Sequence, residues 1–96
     1  MATAVAETIL GQIKAIDVWA MGAWGAKDLI NMGDGVKFKT SGMVKWKGYV
    51  YVKYDHGRDL YDVIFARIRK MEWQVVEQVN GVFAEDLVRV IDTRVG

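Results

Sequence analysis

The sequence predicts an α+β fold: an N-terminal helix, an antiparallel sheet of about four strands and a C-terminal helix. Three observations predict it. Apolar residues recur at helical spacing over residues 4–16 and again from Ala84. Between these stretches, alternating and β-branched runs follow one another at hairpin intervals. The runs are punctuated by glycine turns in a chain that has no proline. A small curved β-barrel with flanking helices is the alternative architecture.

Thr3 suits a helix N-terminus, and Val5, Ile9 and Ile13 recur every four residues, widened by Leu10 and Ile16. This is an amphipathic helix over 4–16, despite Gly11 within it. From Asp17 to Gly35 the chain is rich in small residues around Trp19 and Trp24, and neither period dominates. A packed, irregular or strand-like segment is expected there, ending at an Asp34-Gly35 turn.

Strands follow. Val36, Phe38 and Thr40 alternate with Lys37 and Lys39, and Tyr49–Tyr54 is β-branched and aromatic. Leu60–Arg69 sets Tyr61, Val63 and Phe65 on one face and Ile64, Ala66 and Ile68 on the other. A strand apolar on both faces reads as central and covered on both sides. Met71, Trp73 and Val75 alternate with Glu72 and Gln74, with Trp73 read as inward and core, and Asn80-Gly81 reads as a turn. The closing helix begins near Ala84. Phe83, Leu87, Val90 and Ile91 form its stripe, with acids in its first turn and Arg94 in its last.

Ninety-six residues make one domain, 1–96. A hydrophobic fraction of 52% supplies a core, and 26% charged residues is ordinary for a globular chain. The absence of cysteine rules out disulfides, thiol catalysis and cysteine-ligated metals. A domain this small without disulfide staples is expected in the cytoplasm. Met1–Leu10 does not read as a signal peptide, and no stretch approaches the roughly 20 apolar residues that cross a bilayer, so no membrane partner is expected. Net charge is only +1, but its distribution is lopsided. Five lysines and no acid lie between Val36 and Tyr54, whereas four acids and no base lie between Met71 and Val88.

Short motifs run through most of the chain: Gly25-Ala26-Lys27, Phe38-Lys39, Tyr61-Asp62-Val63 with Phe65, Arg67-Ile68-Arg69, and Gly81-Val82-Phe83-Ala84-Glu85 with Leu87. In these the chain resembles an uncharacterised family of short bacteriophage and mobile-element proteins, over about Thr8 to Arg94. It holds extra residues around Trp19–Trp24 relative to that family. The resemblance implies a phage or mobile-element origin and action in the bacterial cytoplasm. It carries over no activity and no functional residue.

The candidate site comes from the residues themselves. With Val36, Phe38, Val50, Val52 and Tyr54 inward, Lys37, Lys39, Tyr49, Tyr51 and Lys53 point outward. Arg67 and Arg69 join that face if Ile64 and Ile68 point inward. Lys45, Trp46 and Lys47 precede a glycine turn, where Trp46 is expected to be partly exposed between its cations. Cations that follow phosphates beside rings that stack on bases suit single-stranded nucleic acid. The bland alternative is a solvated face whose lysines deter aggregation.

Asp55-His56-Gly57-Arg58-Asp59 with Asp62 admits a divalent-metal or acid–base reading, against the plainer one of a polar turn. One histidine, one serine (Ser41) and no cysteine leave nucleophilic catalysis without its parts. No enzyme, cofactor or metal is expected. Two functions stay open: a nucleic-acid-binding accessory module, and a protein-binding module such as a host-factor inhibitor, an adaptor or a homo-oligomeric domain.

Overall fold

The computed structural model describes residues 2–41 and 46–96, with side chains described from Val5 onward. The order is α1 (Ala2–Ile16), α2 (Ala20–Ala23), β1 (Lys27–Asn31), β2 (Gly35–Lys39), β3 (Tyr49–Asp55), β4 (Leu60–Arg69), β5 (Glu72–Val82), a 3₁₀ turn (Ala84–Asp86) and α3 (Leu87–Val95). The strands form one antiparallel sheet in sequence order, from β1 to β5. β1 and β5 remain free edges, so the fold is α+β with an open sheet and is not a barrel.

All three helices lie on one face of this sheet. Ile9 and Ile13 of α1, Ala20 of α2, and Leu87, Ile91 and Val95 of α3 are buried there. They pack with Val36, Phe38, Val50, Val52, Tyr61, Val63 and Phe65 in one hydrophobic core. This is the outcome expected when strand periodicity of two meets helical stripes that need cover. Trp24 closes the core between layers. Its ring stacks on Phe38 at 6.2 Å, and its indole N–H donates to Asp92 Oδ1 at 3.1 Å. Phe83, expected on the closing stripe, is 57% exposed instead. It stands in extended backbone ahead of the first turn, outside the helix whose stripe it was to join.

Several expectations need correction. The sheet has five strands, because Lys27–Asn31 pairs with β2 despite being exposed throughout. Backbone pairing at an edge leaves no hydrophobic alternation to detect. Asn80-Gly81 is not a turn but a bulge within β5. There Gly81 has φ +68° and donates its N–H to Asp62 Oδ1, as both residues oppose the single position Asp62. A second bulge leaves Val76 between the pairs Phe65–Glu77 and Ala66–Val75. β4 is covered by helices on one face only. The actual β4–β5 turn is Lys70-Met71, with φ of 52° and 64°, a type I′-like conformation that usually recruits Asn-Gly.

Candidate functional site

The uncovered face of the sheet is built by cross-strand register. Lys39 pairs with Tyr49, Tyr49 with Ala66, and Ala66 with Val75. In the next row Lys37 pairs with Tyr51, and Tyr51 with Ile64. Partners across a ladder share a face. Lys37, Lys39, Tyr49, Tyr51 and Lys53 therefore lie together on the outer face, as the alternation predicts.

Ile64 and Ile68 lie on this face too, which corrects the inward placement considered for them. Arg67 and Arg69 consequently start from the opposite face, paired with Gln74 and Glu72. Trp73 is paired with Ile68 on the outer face and is 40% exposed, so it is not core. The bulge at Val76 explains the reversal. It shifts the parity of β5, so a period of two read through it assigns the wrong side.

Ala66 is small and fully buried on this face, and the neighbouring rings approach across it. Tyr49 and Trp73 meet with centroids 5.7 Å apart and planes at 50°. The Lys37 ammonium stands 5.2 Å from the Trp73 ring and 5.8 Å from Tyr49, and Lys39 lies 6.0 Å from Tyr49. The pair is thus an aromatic ledge, with Tyr49 half-buried and Trp73 part exposed, bordered by cations.

The face has an electrostatic direction. At the end where β3 turns into β4, Asp55 and Asp62 both bind Arg58, at 2.7 and 3.1 Å. Arg58 and nearby backbone N–H groups hold the Asp55 carboxyl below its usual range. Tyr54 donates its hydroxyl proton to Asp59. The sequence Asp55–Asp59 is therefore a polar turn whose carboxylates already have donors, and Asp55 closes an Asx turn onto Gly57 N–H at 3.0 Å.

Asp34, in the adjoining turn, accepts the Tyr51 hydroxyl and lies 3.9 Å from Lys53 Nζ. Burial and this acceptor push Tyr51 well above an ordinary phenol pKa. Tyr51 and Lys53 therefore belong to the acidic end. The opposite end carries Lys27, Lys39 and Lys47, with Arg67 reaching the rim from the other face. Among the described residues none of these four forms an ion pair with a carboxylate.

Trp46 is 7% exposed and buried, not a surface ring. It packs edge-on to Phe65 at 5.8 Å, and its backbone N–H donates to Val95 O at 3.3 Å. Its role is to position neighbours: the Arg67 guanidinium lies 5.6 Å from its ring. The buried Thr40 hydroxyl fixes the same segment, donating toward Trp46 O and Gly48 O, both at 3.2 Å, and accepting Gly48 N–H at 3.0 Å. A Cβ on Gly48 would come 2.5 Å from the Trp46 ring and 2.8 Å from Ala66 O. Gly48→Ala should therefore cost about 1–3 kcal/mol through overpacking, read as a lowered urea midpoint. Lys45 lies outside the described residues.

The sequence reasoning missed Trp73, the ledge it forms with Tyr49, and Ile68 beside it. The signal was present in Ala66, a small residue flanked by bulky strand positions. Comparison with protein-family models, curated proteins and solved structures finds no match to the chain. No described helix is long and apolar enough to cross a membrane.

Proposed function

We propose that the basic end of the outer sheet face binds single-stranded nucleic acid, and that the protein is a non-enzymatic accessory module. The observation that carries this reading is the Tyr49–Trp73 ledge, bordered by Lys37 and Lys39. Accessible rings on a sheet offer π-faces to unpaired bases of any sequence, while lysines neutralise the phosphates between them. A duplex hides those base faces, so single strands suit the ledge better. The resemblance to phage and mobile-element proteins, and the bacterial cytoplasm it implies, agrees with such a role.

The test is fluorescence anisotropy of a labelled single-stranded oligonucleotide and its duplex, at low and moderate salt. Binding of the single strand that is stronger than the duplex and weakens steeply with salt is expected. No binding at the lowest salt contradicts the reading.

A second reading rests on a different observation. Ile68 is 54% exposed, Val75 53%, and Met71 at the hairpin tip 97%. This apolar margin beside the ledge suits a protein partner or a second copy of the chain. The two bulges of β5 break the regular edge that strand-to-strand pairing would need, so such a partner would dock on the face. Light scattering after size exclusion separates the cases: a concentration-independent monomer removes the self-association version.

A further inference from the structure

At the basic end of the face, a shallow pocket opens where β2 ends, β3 begins and β4 runs past both. It is lined by Lys39, Lys47, Gly48, Tyr49, Arg67 and Ile68. Among the described residues its three cations come from three separate segments, and no carboxylate lines it. One guanidinium and the backbone that carries one lysine are held in place from below. Arg67 lies over the buried Trp46 ring, and Lys47 is clamped between Trp46 and Gly48, whose backbone groups are tied to the Thr40 hydroxyl. Gly48 leaves the wall bare where any side chain would strike Trp46. Like charges converge here without a built-in counter-ion, on a backbone that is fixed in advance. Such an arrangement costs stability when empty and is relieved by an anion.

We propose that this rim pocket is a phosphate subsite. It rests on the nucleic-acid reading for one point only: the phosphate belongs to the strand whose base stacks on the ledge. Tyr49 is common to pocket and ledge, so one nucleotide reaches both: base on the rings, phosphate among Lys39, Lys47 and Arg67. Arg67 supplies a planar fork for two phosphate oxygens, and the lysines act as point charges. The phosphate could be an internal diester or a terminal monoester. The two share one recognition chemistry, and a 5′-phosphate on the probe strand tells them apart.

The experiment uses the full chain, with wild type, Lys47→Gln, Arg67→Gln, Arg67→Lys and the helix-layer control Lys14→Gln. Each is titrated by anisotropy with a labelled oligothymidylate of about eight nucleotides, with and without a 5′-phosphate, over a salt series. In parallel, inorganic phosphate is added to ¹⁵N-labelled wild type while the amides of Lys47 and Gly48 are followed. Lys47→Gln and Arg67→Gln should each weaken binding by roughly fivefold at low salt and lower the salt slope by about 1. Arg67→Lys should recover part of the loss, and Lys14→Gln should match wild type.

Equal affinity of the two oligomers assigns the pocket to an internal diester. A gain with the 5′-phosphate that vanishes in Lys47→Gln assigns it to a terminus. If Lys47→Gln and Arg67→Gln bind the strand as wild type does, with unchanged slope, the pocket assignment is overturned while the nucleic-acid reading stands. If inorganic phosphate shifts Lys47 and Gly48 but no strand binds at low salt, the pocket stands and the nucleic-acid reading fails. If neither ligand binds, both fall.

Discussion

Trp24→Ala is expected to lower the melting temperature by roughly 15 °C or more. Trp24 is 1% exposed and touches three elements at once. It belongs to the turn after α2, stacks on Phe38 of β2 and donates its indole N–H to Asp92 of α3. Removing a buried indole costs about 3–5 kcal/mol, from lost transfer energy and the cavity left behind. A domain of this size has about 5–15 kcal/mol in total, so the substitution removes a large share of it. Trp24→Phe separates the two contributions. It keeps a ring against Phe38 and loses the donor to Asp92, for about 1 kcal/mol. Calorimetry of both variants checks this, and a Trp24→Ala protein that melts within a few degrees of wild type contradicts the assignment of Trp24 to the core.

Trp73→Ala should have the opposite profile: large in binding, small in stability. Stacked bases are worth about 1–3 kcal/mol each by alanine substitution, so affinity for a single strand should fall between about fivefold and 150-fold. The folded state loses the contact with Tyr49, worth about 1 kcal/mol, from a ring that is already part exposed. Trp73→Phe should restore most of the affinity, because a π-face is what the ledge supplies. Anisotropy titrations beside thermal melts make the comparison. A Trp73→Ala protein with wild-type affinity would place the contact elsewhere.

The element pattern was legible because it depends on local periodicity. Ile9 and Ile13 mark α1, Leu87 and Ile91 mark α3, and the alternation of Val36, Phe38, Val50 and Val52 gives both the strands and their inward side. The outward set Lys37, Lys39, Tyr49, Tyr51 and Lys53 follows from the same rule.

What failed depended on departures from that rule. The bulge at Val76 turned Trp73 from core to surface. The edge strand Lys27–Asn31 has no buried side to betray it. Trp46 looked exposed between lysines, but its burial is decided by Phe65 and Val95, which are distant in sequence, and by the Thr40 hydroxyl across the intervening loop. The site itself was half legible. The lysines and tyrosines could be listed, but not that Asp34 would claim Tyr51 and Lys53 and leave the basic end as the place to bind.

The most direct measurement is an amide chemical-shift map of the ¹⁵N-labelled protein during titration with a short oligothymidylate. The predicted result is a contiguous set of shifts at Lys37, Lys39, Lys47–Tyr49, Ala66–Ile68 and Trp73, with α1 and α3 unmoved. An unchanged spectrum at low salt, or shifts confined to the helical layer, would contradict it.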